Sequence, residues 1–562
     1  MKKLFALFLL ISLPLSAASR LPVRAKHVMV ASVDPIASRV GAEIMKRGGN
    51  AIDAAVAVAL TLAVTWPEAG NLGGGGFLLL RKADGTEVAI DYRQRAPLAA
   101  TRDMYLDADG NVIKDVSLVG YKAAGVPGTV AGLALAHKKY GKLPWREVVE
   151  PARRLAKEGF LVSDYLARSL AVKRTMERLQ KFPESWRIFE REGRPYKPGE
   201  RFVQTDLAAT LARIQKDPSD FYRGKIARQI VAAMRAHGGI ITAEDLARYE
   251  PTPRKPLHGT YRGYEIITMP PPSSGGVVLI EMLHMLEPYD LAAMGWHSSQ
   301  EVHAMVEVMR RAYADRAKYL GDTDFVPGVP IAGLMSREYA EQRRKDIDPA
   351  HATDSKTIQA GEPARYESPQ TTHFTIVDAQ GNVVANTYTL NESYGSAVTV
   401  PGAGFLLNDE MDDFTSKPGV PNTYGLIQGE ANAIAPRKRP LSSMTPTLVM
   451  KDGEVAFALG SPGGSTIMNT VLQVIVNVID FGMNIQEAID AARFHHQWLP
   501  DKIAWENFEF SRDTLDALER MGHIFADKPA QIGDAQAIAI DPRDGARLGA
   551  CDPRRGGMPV GW

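Results

Sequence analysis

Two hydrophobic periods alternate along this chain. One recurs every three to four residues. In "HSSQEVHAMVEVMRRAYADRAKYLGD", Val302, Met305, Val306, Met309 and Tyr313 keep that spacing, which predicts a long helix. Ser298 and Glu301 read as a capping box that sets its start. "AIDAAVAVALTLAVTWPEAG", residues 51 to 70, is apolar at most positions, carries Asp53 and ends at Trp66-Pro67. It is too short and too alanine-rich to span a bilayer, so it reads as a helix buried on most sides.

The other period is two, and it comes as hairpins. "FLLLRKADGTEVAIDYR" turns at Asp84-Gly85 and "TPTLVMKDGEVAFALGS" at Asp452-Gly453. "TTHFTIVDAQGNVVANTYTLN" turns around Ala379-Gln380-Gly381-Asn382. Asp-Gly and Gly-Asn between apolar runs are hairpin signals. Antiparallel hairpins mixed with long helices predict layered α/β packing, with helices covering the sheets. Residues 350 to 370 have no apolar period and read as an exposed loop.

Composition narrows the function. The 562 residues are 45% hydrophobic and 23% charged, with a formal net charge of +1. Such a chain is long enough for more than one domain. No global field draws it to nucleic acid or acidic lipid. The opening residues, "MKKLFALFLLISLPLSAASR", join Lys2 and Lys3 to a short apolar run and then to Ser16-Ala17-Ala18. That is the pattern of a bacterial secretory signal peptide, residues 1–18, which implies a periplasmic or secreted protein. No later segment spans a membrane. Cys551 is the only cysteine, so an intramolecular disulfide and a CxxC site are both excluded.

The candidate chemistry begins at Thr371. Adjacent threonines at a strand start are usually packing, since β-branched residues suit strands. Folding the third hairpin about Gln380 places opposite one another residues whose numbers sum to about 760. Thr371 then faces Thr389, with Asn391 two residues on. Three polar side chains converge where a loop arrives, which packing does not explain. A chain cut before Thr371 would supply an α-amine of pKa about 7.7 to 8.0 beside the hydroxyl. That amine is a competent base for an N-terminal threonine nucleophile.

In "ALGSPGGSTIMNTVLQVIVNVIDFG", Gly463 and Gly464 follow a strand and precede a helix capped by Ser465 or Thr466. Bare backbone N–H groups at a helix start suit an oxyanion hole. A phosphate loop lacks its Gly-Lys-Ser/Thr here, and Ser461 does not fit G-x-S-x-G. The run "NLGGGGFLLL" reads as a close backbone approach between helix and strand. Arg93, the acids Asp409, Glu410, Asp412 and Asp413, and Ser442-Ser443 suggest recognition of a zwitterion, carboxylate to arginine and ammonium to aspartate. Adjacent His495 and His496 are poorly placed to chelate one ion together, so no metal is expected.

Together "TTHFTIVDAQGNVVANTYTLN", "NDEMDDFTSKPG", "RPLSSMTPT", "GSPGGS", "FHHQWLP", "NLGGGGF" and "DYRQRAP" resemble bacterial γ-glutamyltranspeptidases, in order from about Val28 to the C-terminus. The resemblance implies an N-terminal nucleophile hydrolase of α/β (α+β) class, an αββα sandwich without a cofactor. It implies a precursor that cuts itself at Gln370–Thr371 into a large subunit, residues 19–370, and a small one, residues 371–562, which stay together as a heterodimer and build one domain. Thr371 is then the nucleophile, Thr389 its supporting hydroxyl, and Gly463 and Gly464 the oxyanion hole. Arg93, Ser442 and Ser443 hold the donor's α-carboxylate. Asn391, Glu410 and Asp413 hold its α-amino end. "KPGVPNTYGLIQG" resembles a lid loop with Tyr424 at its tip. Here Gln94 and Arg95 follow Arg93, where relatives often have Glu and an uncharged residue, and Glu410 stands where some bacterial members have Gln.

The implied substrates are glutathione and other γ-glutamyl compounds, with water, an amino acid or a dipeptide as acceptor. The rival readings are a related acylase acting on glutaryl-β-lactams or poly-γ-glutamate, and an unprocessed amino-acid-binding homologue.

Overall fold

The hairpins legible in the sequence are the middle of two large sheets. A computed structural model describes residues 19–363 and 373–562. The expected signal peptide, the Gln370–Thr371 bond and Thr371 itself lie outside the described residues. In chain order the strands of the two sheets are β1 (Val23–Ala25), β2 (Met29–Ser32), β3 (Gly75–Arg81), β4 (Glu87–Asp91), β5 (Thr252–Arg254), β6 (Leu257–Tyr261) and β7 (Tyr264–Thr268). They continue as β8 (Phe374–Val377), β9 (Val383–Thr389), β10 (Thr447–Lys451), β11 (Glu454–Gly460), β12 (Gln536–Ile540), β13 (Arg547–Cys551) and β14 (Met558–Gly561). One sheet runs β1-β13-β12-β11-β10-β7-β6 and the other β14-β2-β8-β9-β3-β4-β5. Neighbours in both are antiparallel.

Side chains alternate across these strands because successive Cβ atoms point to opposite faces. Phe77 and Leu79 of β3 point into a core shared by both sheets, which also takes Leu448 and Met450 of β10 and Ala458 of β11. Cys551 is buried in the same layer. Leu78 and Leu80 point the other way, onto the helices Pro35–Lys46 and Ala51–Thr65. Val449 and Leu459 pack on the helices Gly275–Leu286, Ser299–Tyr319 and Ile467–Ile479. Helices therefore cover both outer faces, and strands such as β3 read as unbroken apolar runs because both of their faces are buried. This is the expected αββα sandwich.

Local details refine the sequence reading. The apolar helix ends at Thr65, and all of its residues are buried. Ser298 caps the long helix by accepting from the Glu301 N–H at 3.2 Å. The reciprocal half of the expected capping box is absent, and the Glu301 carboxyl is itself buried. Thr466 stands at the N-cap of the helix after the glycine pair, but its hydroxyl donates to the Gly463 carbonyl at 2.9 Å instead of capping. The run 73–76 is a close backbone approach, but to β9 and to loop residues instead of to the expected helix. A Cβ on Gly73 would sit 2.2 Å from the Leu406 carbonyl oxygen, and one on Gly74 2.1 Å from that of Thr389.

Candidate active site

β8 and β9 pair as the hairpin arithmetic requires: Phe374 opposes Asn386 and Val377 opposes Val383. The register is described from Phe374 to Val377, and Thr371 lies outside the described residues. Thr389 ends β9 and borders a cavity of about 300 Å³. Asn391, Glu410, Asp413, Tyr424, Ser442, Ser443, Gly463 and Gly464 line the same cavity. Residues from five separate stretches of sequence thus converge on one hollow.

The glycines reach it because the chain must turn sharply between β11 and the helix Ile467–Ile479. Gly463 and Gly464 have φ of 141° and 56°, values that side chains rarely adopt. The Tyr424 ring lies against Gly464, where an added Cβ would stand 2.5 Å from its Cδ1. The Tyr424 hydroxyl donates to the Asn391 carbonyl at 2.9 Å, so the tyrosine crosses the cavity between two of its walls. Asn391 adopts φ 84°, which turns the chain off the end of β9. Its N–H donates to Thr389 Oγ1 at 2.9 Å and its side-chain amide to the Asp409 carbonyl at 3.0 Å.

Arg93 is placed differently from the expectation. It lies just beyond β4, its guanidinium is fully buried, and it does not line the cavity. It donates to Glu410 Oε1 and, at 2.5 Å, to Asp413 Oδ2. The groups expected to read opposite ends of a zwitterion are bonded to one another. Gln94 donates to the other Glu410 oxygen at 2.6 Å, so this residue supports the acid instead of opposing it. One guanidinium thus faces two buried carboxylates. Burial raises the Glu410 carboxyl, Arg93 opposes the rise, and the neighbouring Asp413 adds to it, so the pair is held above the ordinary carboxylate range.

The sequence reading missed Arg316. It lines the cavity, donates through Nε to Ser274 Oγ at 2.8 Å and through Nη2 to Ser443 Oγ at 3.3 Å. Its buried Nη1 has no partner among the described residues. Burial lowers its pKa to about 10, so it stays a cation at neutral pH. Its helix carries the charged run "RRAYADRAK", which looks like a solvated face, yet Arg310, Arg311, Asp315 and Arg316 are all buried. No spacing rule separates the two cases.

Histidine chemistry is committed elsewhere. His373 precedes β8 and packs so closely on Gly460 that a Cβ there would sit 2.4 Å from its ring. Its two ring nitrogens meet the hydroxyls of Thr387 and Thr375, and burial drops its pKa to about 3, too low for a good base. His495 bonds Asn469 and Gln497, and His496 bonds Asp501. His303, Glu307 and His523 gather possible ligand atoms within 4.8 Å of one another, away from the cavity. Glu307 is held there by Arg311 and Thr353, and the two imidazoles bond each other at 2.8 Å, which closes the cluster on itself.

Comparison with known proteins agrees with this geometry. Residues 37–562 match the sequence family described as gamma-glutamyltranspeptidase. A glutathione hydrolase proenzyme of Escherichia coli (strain K12) is 51% identical over 534 residues, covering 95% of this chain and 91% of its own. The crystal structure of cephalosporin acylase from Bacillus halodurans superposes with a TM-score of 0.86 at 30% identity, over 99% of both chains. That of Helicobacter pylori gamma-glutamyltranspeptidase gives 0.58 at 45% identity, over 62% of this chain and 97% of that one.

Proposed function

This chain belongs to the gamma-glutamyltranspeptidase family, and from that premise we propose that it is a glutathione hydrolase and γ-glutamyl transferase with Thr371 as nucleophile. It is an enzyme of the N-terminal nucleophile hydrolase type. What supports the specific reading is that Thr389, Asn391, Asp413, Ser442, Ser443, Gly463 and Gly464 line one cavity at the end of β9.

The precursor is cut first. Thr371 Oγ attacks the Gln370 carbonyl carbon and loses its proton to a base. The C–N bond breaks, the nitrogen takes a proton, and an ester remains. Water hydrolyses that ester, leaving a carboxylate on Gln370 and a free amine on Thr371. Residues 19–370 and 371–562 stay together because both contribute strands to each sheet. The amine then takes the hydroxyl proton during attack on a γ-glutamyl carbonyl. Gly463 and Gly464 N–H groups stabilise the oxyanion as it forms. The leaving amine takes the proton, and water or an acceptor amine later releases the γ-glutamyl group from Thr371.

The donor's head occupies the other end of the cavity. Its ammonium goes to Asp413 and Asn391. Its carboxylate goes to Ser442 and Ser443, while Arg93 stands behind Asp413 and holds that acid in place. Arg316 adds a further donor beside Ser443. A glutaryl head has no ammonium, so the paired Asp413 and Asn391 favour γ-glutamyl donors over those of an acylase.

A signal peptide over residues 1–18 would deliver the protein to the periplasm or the exterior. Among the described residues no helix is long and apolar enough to cross a membrane. The direct assay is amine release from a γ-glutamyl anilide, with and without a dipeptide acceptor. No release by the processed protein would refute the reading.

A further inference from the structure

A second cavity of about 410 Å³ adjoins the first. Glu68, Glu392, Ser393 and Gln531 border both, whereas Glu410, Asp413, Ser442 and Ser443 border the first alone. The second hollow therefore opens from a part of the first that is not its head end. Arg168, Arg174, Arg178 and Arg554 line it with the two glutamates, and each arginine is paired with a carboxylate. At the edge of the first cavity Arg555 comes no nearer than 4.0 Å to Glu68, and its Nε has no partner among the described residues.

Three of these arginines can serve a ligand. Arg178 is occupied, bonding Glu392, Asp409 and two backbone carbonyls, and Arg554 bonds Glu506 and Asp552. Arg168 and Arg174 are different. They stand on the neighbouring helices Asp164–Ala171 and Lys173–Leu179, with side chains 70% and 63% exposed. Each has one carboxylate partner, Asp164 at 2.6 Å and Glu392 at 2.7 Å. The Arg168–Asp164 pair is exposed on both sides and so weak, and Glu392 keeps Arg178 as a partner if Arg174 turns to another carboxylate.

We propose that this arginine-lined vestibule, through Arg168 and Arg174, with Arg555 on the side of the first cavity, binds the free C-terminal carboxylate of the peptide attached to, or received by, the γ-glutamyl group. The proposal rests on the γ-glutamyl reading of the first cavity. With the head at Asp413 and the γ-carbonyl near Thr389, the rest of the substrate must leave that cavity by another side. Two residues of extended chain reach at most about 7 Å, so a dipeptide places a negative group just beyond the reacting bond. Arginine matches a carboxylate with two parallel N–H donors. Glu68, beside Arg555, keeps an empty vestibule from holding an unbalanced cation.

The test compares dipeptides differing only at the C-terminus. Glycylglycine and glycylglycinamide are titrated into the processed protein by ligand-observed NMR, which needs no turnover. The matched γ-glutamyl dipeptide and its amide are then compared by kcat/KM. Wild type should favour each free acid by roughly ten-fold, a preference that shrinks as salt rises. Arg168→Gln/Arg174→Gln and, separately, Arg555→Gln should reduce the acid-to-amide ratio toward one. The first variant alters exposed side chains and tests the idea even if the second fails to fold. An acid-to-amide ratio near one in wild type, or a ratio unchanged in the exposed double variant, overturns the proposal. Preference in the NMR titration for the donor-free peptides, without hydrolysis of any γ-glutamyl compound, would support the vestibule and refute the enzymatic reading instead.

Discussion

Arg93 donates to Asp413 at 2.5 Å in a place closed to water, and Asp413 alone of the two reaches the cavity. On the proposed reading the donor's ammonium meets Asp413 from the cavity side, opposite Arg93. Hydrogen bonds to charged groups contribute roughly 1.5 to 3 kcal/mol. Asp413→Asn should therefore lower kcat/KM for γ-glutamyl anilides by about ten- to a hundred-fold and spare matched glutaryl anilides. Equal losses on both would mean that Asp413 reads no ammonium.

Glu410 gives donor binding a pH dependence. Burial raises the carboxyls of Glu410 and Asp413 together, so the pair facing Arg93 holds on to a proton well above the ordinary carboxylate range. A bound ammonium adds the positive charge that lets the pair ionise, so binding should release a proton and tighten as pH rises beyond that range. Calorimetry of a non-reacting γ-glutamyl analogue, in buffers of different ionisation enthalpy, measures that proton. Glu410→Gln copies the protonated acid and should bind the analogue with no release. Release unchanged in that variant would assign the proton to another group.

Two roles of Gly464 can be separated by mutation: the proposed oxyanion donor, set by its φ of 56°, and the room its missing Cβ leaves for Tyr424. Gly464→Ala should reduce kcat far more than donor affinity. Alanine keeps the N–H but is strained at this φ, and a backbone shift that misaims the donor lowers the rate by up to the order of 10² to 10³ seen when such a donor is removed. If crowding of Tyr424 were the cause, adding Tyr424→Ala would restore the rate. The account expects the double variant to stay slow.

Much of this site was legible before any coordinates. The Asp-Gly turns set the hairpins, and the register about Gln380 holds from Phe374 to Val377. Gly463-Gly464 stood out because a strand, two glycines and a helix have few other uses. Arg93 was found but not its bonding, because a sequence does not say that Glu410 and Asp413 both turn toward it. Arg316 and Arg555 were invisible for a related reason. A charged residue on a helix or tail reads as solvated until tertiary packing covers it, and only the packing of 299–319 against two other helices and β10–β11 does so.

A buried acid far from the cavity tests the fold itself. Burial and the nearby Glu509 push Glu301 up to about 8, against an ordinary value of about 4.3. The folded state therefore holds a proton that the unfolded chain releases. The stabilisation is complete below about pH 4.3 and is lost as pH rises toward 8, on the order of 1.4 kcal/mol for each pH unit between. Glu301→Gln stays neutral throughout. Its Tm should exceed that of wild type by a margin that grows from pH 6 to pH 9. A constant margin would show that Glu301 does not titrate in this range.

The central claim is that one hydroxyl first cuts the chain and then turns over substrate. Mass spectrometry of purified wild type and Thr371→Ala tests it most directly. Wild type should contain a fragment of residues 371–562 beginning with threonine, and Thr371→Ala should remain one chain and release no amine from a γ-glutamyl anilide. A cut Thr371→Ala, or a wild type that is active while uncut, would contradict the account.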